Sequence, residues 1–90
     1  MKVAFHRKFA KDLTKIGSSD ARDRIKRVIL NVEEAESLES FPNIKALKGV
    51  DGYLRIRLGD YRIGLRREGD GILLLRVMHR SEIYRHFPPE

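Results

Sequence analysis

The sequence predicts an α+β fold in which an N-terminal strand and a helical hairpin pack on one face of an antiparallel sheet with a C-terminal three-stranded meander. Two observations predict it. Apolar residues recur at helical spacing in the first half of the chain, whereas from Tyr53 onward they alternate with polar residues, as in half-buried strands. A chain of 90 residues suits a single domain, so we predict one domain over residues 1–90.

The first half is predicted to form one short strand and two helices. Residues 2–5 form the strand, and residues 7–16 form a helix whose apolar side chains recur at helical spacing, at Phe9, Leu13 and Ile16. Gly17 is placed to end this helix in a left-handed conformation. After an N-cap at residues 18–20, the second helix is predicted over residues 20–38. Its buried stripe comprises Ile25, Val28, Ile29, Val32, Ala35 and Leu38.

The second half is predicted to form the meander. Residues 41–43 break the helical pattern at a proline, and residues 44–49 form a short connector. Three strands follow, joined by two glycine-containing turns, Gly59-Asp60 and Glu68-Gly69-Asp70-Gly71. The last strand, residues 72–78, is apolar enough to be covered on both faces. Helices on one face of this sheet would leave the other face to Arg55, Arg57 and Arg62 together.

The charge of the chain points to an anionic partner. The formal net charge is +6 and the pI is about 10.0, which is typical of nucleic-acid or ribosome contact, although simple solubility explains it equally well. After Lys48 every basic residue is arginine, whose planar fork of donors suits bidentate phosphate contact. The sequence has no cysteine, no long apolar run and no secretory signal, so we expect a cytoplasmic protein that does not contact membranes.

Three short motifs, in this order and spacing, resemble the RelE/ParE superfamily of bacterial and archaeal type II toxins: Leu47-Lys48-Gly49, Gly59-Asp60-Tyr61-Arg62 and His79-Arg80-x-x-x-Tyr84. The resemblance implies a small α/β toxin that a cognate antitoxin neutralises. RelE-like members cut mRNA in the ribosomal A site. ParE-like members instead poison DNA gyrase and need no nuclease residues.

The resemblance also implies which residues carry mRNA cleavage. RelE-like toxins use basic residues on the first meander strand, an arginine on the second, and an arginine and a tyrosine near the C-terminus. These positions correspond here to Arg55, Arg57, Arg62, Arg80 and Tyr84. The chain departs from the family pattern by having arginine rather than lysine at the first two positions. Some relatives use a C-terminal histidine, and His79 is the candidate for that role.

Cleavage of RNA by its own 2′-hydroxyl needs a base, an acid, and cations that stabilise the pentacovalent phosphorane. It needs no metal or other cofactor, and His6, His79 and His86 are not at ligand spacing. Arg62 and Arg55 suit the phosphate, the alternative being salt bridges to acidic neighbours at Asp60, Glu68 or Asp70. Histidine suits proton transfer near neutrality, whereas Tyr84 could stack on a base or act as an acid.

Other residues are candidates for binding rather than catalysis. Six further cations could follow ribosomal RNA, with a solvated surface as the alternative: Lys11, Lys15, Arg22, Lys26, Arg27 and Lys48. Three aromatic residues are predicted to be partly exposed and could contact an antitoxin: Phe41, Tyr53 and Phe87.

Three functions remain open at this point. We favour a RelE-like endoribonuclease that works on the 70S ribosome with mRNA and forms a toxin–antitoxin hetero-oligomer. The reason is that six candidate residues are expected together on one face of the sheet: Arg55, Arg57, Arg62, His79, Arg80 and Tyr84. The second is a ParE-like gyrase inhibitor without nuclease activity. The third is an inactive or purely RNA-binding domain.

Overall fold

The computed structural model describes residues 1–88, which form a five-stranded sheet with two α-helices on one face. In chain order the elements are β1 (Lys2–Phe5), α1 (Arg7–Lys15), α2 (Ser19–Glu34), β2 (Ile44–Ala46), β3 (Tyr53–Leu58), β4 (Tyr61–Glu68) and β5 (Gly71–His79). Short 3₁₀ turns lie at Leu38–Ser40 and Ile83–Arg85. No helix in the described part of the chain is long and apolar enough to cross a membrane.

The sheet has the strand order β1-β5-β4-β3-β2. The predicted meander is confirmed, since β3, β4 and β5 are neighbours and pair antiparallel. The prediction of an antiparallel sheet is wrong at one edge, because β1 pairs parallel with β5. The chain leaves β1 through both helices, and a connection of that length allows parallel pairing.

The predicted connector over residues 44–49 is also wrong in part. Ile44–Ala46 forms the edge strand β2 and pairs antiparallel with β3, placing Lys45 opposite Arg55. The three residues are too few to show an alternating pattern, so the strand forms through its pairing with β3 rather than through a local signal.

Helix α1 ends differently from the prediction. Gly17 does not have a positive φ, and the helix ends at Lys15, where the N–H of Ile16 donates to the carbonyl of Leu13 at 3.3 Å. The Arg22 guanidinium donates to the Ile16 carbonyl. A side chain of α2 thus provides a hydrogen bond at the end of α1, where a glycine in the left-handed conformation would otherwise allow a backbone hydrogen bond.

Helix α2 begins as predicted and ends earlier. The Ser18 hydroxyl accepts from the N–H of Ala21 at 3.2 Å, which is the expected N-cap. The helix ends at Glu34, and Leu38 lies in a separate 3₁₀ turn, where it is still buried. The N-terminal ammonium of Met1 donates to the Glu33 carbonyl at 2.8 Å, so a cation meets the negative end of the helix.

A bidentate ion pair ties α1 to the sheet. Arg76 Nε lies 2.8 Å from Asp12 Oδ2, and Arg76 Nη2 lies 3.0 Å from Asp12 Oδ1. Asp12 is buried and also accepts from the N–H of Val77 at 3.2 Å. The hydrogen bonds that Arg76 donates to the Asp12 carboxylate raise the pKa of Arg76. The pair lies at an irregularity of the β4–β5 ladder, where Leu75 is an extra residue on β5.

The two faces of the sheet are covered by different parts of the chain. The helices cover one face, where Ile25, Val32, Ile63 and Leu65 form the centre of the main core. On the opposite face the C-terminal segment packs over β4 and β5 through Ile83 and Phe87. The Phe87 ring lies directly on Gly64, since a Cβ at that position would be 2.5 Å from the ring. The last strand is therefore covered on both sides, as predicted.

Candidate active site

The face of the sheet opposite the helices carries a group of like charges. Arg55 and Arg57 are two residues apart on β3 and so point to the same side. Arg57 pairs with Arg62 of β4 in the ladder, and Arg80 follows the end of β5. We call these four residues the arginine cluster. The strand alternation read from the sequence predicted the first three of them on this face, and the structure brings them together.

Arg62 is the most enclosed member of the arginine cluster. It is only 8% exposed. Its Nη1 donates to the carbonyl of Gly59 at 2.7 Å and to that of Tyr61 at 2.9 Å. These bonds fold the side chain back over the β3–β4 turn, where Gly59 has a φ of 59°. Glycine adopts this conformation without strain. The turn therefore places the two carbonyls that hold the Arg62 guanidinium.

Burial and neighbouring positive charges dominate the electrostatics around Arg62. Burial lowers the pKa of Arg62, and the charges of Arg57, Arg55 and then Arg80 lower it further, while Tyr84 acts in the opposite direction. Arginine nevertheless stays protonated at neutral pH. Within residues 1–88, Arg62 has no ion-pair partner. A desolvated cation among other cations is costly unless an anion binds there.

The alternative of structural salt bridges does not apply to Arg62. Glu68 pairs with Arg66 instead, and Asp60 is 3.8 Å from Arg80 in a pair whose two side chains are both mostly exposed. The Arg80 side chain is therefore held only loosely, whereas its backbone N–H is fixed on the Asp60 carbonyl at 2.7 Å.

Tyr84 faces solvent beside the arginine cluster. It is 56% exposed and lies in the 3₁₀ turn Ile83–Arg85. The residues on either side of it in the segment, Ile83 and Phe87, are fully buried on the sheet. These two anchors hold the turn in place, so Tyr84 is presented beside Arg62 by a well-packed segment rather than by a free tail.

His79 does not share a face with Arg62, so the expectation that all six candidate residues lie on one face is wrong. His79 pairs with Tyr61 in the ladder, and their rings meet edge to face at 5.9 Å. Tyr61 packs against the main core on the helix side. The His79 Nδ1 lies 2.8 Å from the Ser81 hydroxyl and accepts from the Ser81 N–H at 3.1 Å. The histidine is thus occupied locally, on the face of the sheet opposite that of Arg62.

The sequence interpretation missed one cation on the same face of the sheet as the arginine cluster. Lys45 of β2 lies directly opposite Arg55, and both line a cleft of about 230 Å³. The sequence predicts a connector over residues 44–49, and a connector assigns no facing direction to Lys45. Recognising Ile44–Ala46 as an edge strand would have placed Lys45 on this face.

The predicted RNA-binding cations lie elsewhere. Five of the six belong to the two helices, on the layer opposite the arginine cluster, and Lys48 is exposed in the turn after β2. Arg22 is partly buried and donates to the Ile16 carbonyl, so it serves the helix connection rather than a free surface. The other four helical cations are exposed: Lys11, Lys15, Lys26 and Arg27.

The aromatic residues expected to be partly exposed behave differently from one another. Phe87 is only 1% exposed, so that prediction is wrong. Phe41 and Tyr53 are half-buried, as expected. Tyr53 meets the edge of the Phe87 ring at 5.9 Å, and the Arg66 guanidinium lies 5.9 Å from the Tyr53 ring centre.

Within residues 1–88, no three His, Asp or Glu side chains come together as metal ligands would.

Two helices on one face of a mixed five-stranded sheet are the fold of solved toxin chains from antitoxin–toxin complexes. The family model described as "ParE toxin of type II toxin-antitoxin system, parDE" matches residues 3–84. The chain belongs to this family, within the RelE/ParE superfamily, and is a toxin of a type II toxin–antitoxin system.

Particular relatives agree with this assignment. Toxin RelE3 of Methanocaldococcus jannaschii is 44% identical over 89 residues, which cover 98% of this chain and 100% of that protein. A chain of the RelB-RelE antitoxin-toxin complex from Methanococcus jannaschii superimposes with a TM-score of 0.81 at 41% identity, covering 94% of this chain and 99% of that one. A chain of the archaeal RelE-RelB complex from Pyrococcus horikoshii has the same fold, with a TM-score of 0.69 at 21% identity, covering 89% and 94%.

Proposed function

We propose that this toxin is a metal-independent endoribonuclease that cleaves mRNA on the ribosome and so inhibits translation. The observation that carries the proposal is Arg62, a buried guanidinium surrounded by other cations and without a carboxylate partner among residues 1–88. A fixed group of positive charge of this kind is suited to the charge that develops on a phosphorane during RNA cleavage.

The reaction would use the RNA's own 2′-hydroxyl as the nucleophile. The 2′-oxygen forms a bond to phosphorus as it loses its proton, and the bond from phosphorus to the 5′-oxygen breaks. The 5′-oxygen takes up a proton, leaving a 2′,3′-cyclic phosphate and a 5′-hydroxyl. Arg62, with Arg55 and Arg57, would stabilise the added negative charge, and loss of one such donor costs about 3–4 kcal/mol, or roughly 10²–10³-fold in rate.

Tyr84 is the residue that we assign to the leaving oxygen. Its exposed side chain lies close enough to Arg62 to affect that residue's pKa, and it belongs to a firmly anchored turn. A phenol next to guanidinium groups can donate a proton to the developing 5′-oxyanion. The position of His79 on the other side of the sheet removes the main motive for giving that residue the same role.

The shallow site explains why we assign the reaction to ribosome-bound mRNA in the cytoplasm. Within residues 1–88, Arg55 and Arg57 of the arginine cluster line a cleft of only about 230 Å³, so the described chain alone offers little to align a 2′-oxygen with the scissile bond. Alignment by a large scaffold can supply much of the barrier reduction. Exposed cations on the helices, such as Lys11 and Lys26, would help the toxin dock on ribosomal RNA.

We also propose a cognate antitoxin as a protein partner, in a toxin–antitoxin hetero-oligomer. The relative from M. jannaschii at 41% identity is a chain of an antitoxin–toxin complex. The arginine cluster and the excess of positive charge give an acidic antitoxin segment a complementary surface.

The test is cleavage of ribosome-bound mRNA by purified toxin. We expect Arg62→Ala to slow cleavage by about 10²–10³-fold. Arg67→Ala is the matched control, because Arg67 lies on the same strand but pairs with Glu39 at 2.6 Å in an exposed ion pair. Full activity of Arg62→Ala, or equal losses in both variants, would refute the assignment.

Gyrase inhibition is the second candidate, because the matching family model is that of ParE toxins. It would need no phosphate-stabilising cluster. A supercoiling assay separates the two: inhibition of gyrase by both the parent and Arg62→Ala, with mRNA intact, would support the second candidate over the first.

A further inference from the structure

A cleft at one side of the arginine cluster shares Arg55 and Arg57 with it and adds Lys45, which has no role in the chemistry described so far. The cleft lies between β3 and the segment that leads into and begins the edge strand β2, has a volume of about 230 Å³, and is lined by Pro42, Asn43, Ile44, Lys45, Arg55 and Arg57. Three of these six residues are cationic and none is acidic. The carbonyl of Asn43 accepts from the Arg57 N–H at 3.0 Å, which joins the lip of the cleft to β3.

The register of the strands divides the cations of this face into two groups. Lys45 lies opposite Arg55, whereas Arg57 lies opposite Arg62. Along β3 the two groups are two residues apart, which is about 7 Å at the usual rise of a strand. That separation is comparable to one nucleotide of an extended RNA strand.

The cations of the cleft are also available to a ligand. Within the described chain, neither Lys45 nor Arg55 nor Arg57 has an ion-pair partner. Lys45 is exposed and lies on an edge strand, so its ammonium can reach a ligand without disturbing the core. The Asn43 side chain at the lip carries both a donor and an acceptor, which suits the edge of an unpaired base.

We propose that this cleft binds the RNA phosphate one nucleotide away from the scissile phosphate, with Lys45 as the binding residue. The proposal rests on the endoribonuclease function, since it takes single-stranded RNA as the ligand and Arg62 as the reaction centre. Lys45 contributes to binding and not to the chemical step, so its loss raises KM and leaves kcat unchanged.

The test compares two short RNAs that differ by one phosphate. The dinucleotide ApA has a single phosphodiester and the trinucleotide ApApA has two. Affinities at low salt are measured by NMR titration for the parent, Lys45→Gln and the control Lys2→Gln, which removes the same charge from an exposed position on β1 at the opposite edge of the sheet. Melting temperatures establish that all three proteins are folded.

We expect the parent and Lys2→Gln to bind ApApA several-fold more tightly than ApA. Lys45→Gln should retain the affinity for ApA and lose the gain from the second phosphate. On a longer single-stranded RNA, Lys45→Gln should reduce the slope of log K against log salt by about 0.7, the value for one phosphate contact. The proposal is overturned if Lys45→Gln keeps the full gain, or if the parent shows no gain or binds neither RNA.

The outcome is separable from that of the proposed function. If the toxin cuts no mRNA and the Lys45-dependent gain persists, the cleft binds RNA and the nuclease assignment fails. If cleavage depends on Arg62 and the gain does not depend on Lys45, the nuclease assignment stands and the second phosphate site fails.

Discussion

Replacement of Gly64 by alanine should destabilise the protein through one specific contact. Gly64 does not need a positive φ, so alanine fits its backbone conformation. The new methyl carbon would, however, lie 2.5 Å from Cδ1 and Cγ of Phe87 and 2.7 Å from Cδ2. Ordinary carbon–carbon contacts are about 3.5–4.0 Å, so the ring must move away by about 1 Å.

The buried position of Phe87 determines the size of the effect. The ring is 1% exposed and packs with Leu75 and Ile83, so it has little space into which to move. Overpacking of this kind costs about 1–3 kcal/mol. In a domain of this length each kcal/mol shifts the melting temperature by about 4–8 °C. We therefore expect Gly64→Ala to melt roughly 5–20 °C below the parent protein.

Thermal unfolding followed by circular dichroism measures this loss. Gly17→Ala is the matched control, because it also lacks a positive φ and has nothing within 4 Å of the added carbon. It should melt with the parent or slightly above it. Phe87→Leu in the Gly64→Ala background should recover part of the loss. A Gly64→Ala protein that melts with the parent would refute the packing of Phe87 on Gly64.

Three further predictions follow from the ion pairs and the arginine cluster. Asp12→Asn removes the buried partner of Arg76 and should cost about 3 kcal/mol in urea unfolding, the lower end for a buried pair because the guanidinium is partly exposed; an unchanged midpoint would show that the pair is not formed. The Arg57→Gln protein should be more stable than the Arg67→Gln protein at low salt, by a few tenths of a kcal/mol. Both substitutions change the net charge equally, but only Arg57→Gln relieves repulsion between like charges. The difference in stability should shrink in high salt, and the reverse order of stability would contradict the like-charge cluster. The pKa of Glu39 is lowered by a hydrogen bond from its own backbone, by one from Ser37 and by the charge of Arg67. The ionised Glu39 side chain therefore stabilises the fold at neutral pH, and this stabilisation is lost as pH falls through the lowered pKa. Acid unfolding curves of Glu39→Gln and the parent should therefore converge at low pH, and a gap that widens in acid would contradict this sign.

The alternating strands were predictable from sequence because their pattern is local. The period of two from Tyr53 onward fixes which side each residue faces, and the glycine turns fix where the chain reverses. This was enough to place Arg55, Arg57 and Arg62 on one face. The facing direction of His79 was not predictable in this way, because the last strand is apolar almost throughout and carries an extra residue, Leu75, that shifts the alternation.

The features that the sequence did not reveal depend on contacts between distant segments. β2 is three residues long and exists only through its pairing with β3, so Lys45 had no predictable direction. Arg22 replaces the expected glycine cap of α1 by reaching across the helix connection. Phe87 is buried because Gly64 leaves room for its ring. No local pattern in the C-terminal segment signals that fit.

The central claim, that Arg62 makes this toxin an mRNA endonuclease, is tested most directly by mapping mRNA 5′ ends in cells. The parent, Arg62→Ala and Arg67→Ala proteins are expressed without antitoxin, and the supercoiling of a reporter plasmid is measured in the same cells. We expect new 5′ ends within open reading frames for the parent and Arg67→Ala, none for Arg62→Ala, and unchanged supercoiling throughout. New 5′ ends of equal abundance with Arg62→Ala, or relaxed plasmid with intact mRNA in the parent, would contradict the claim.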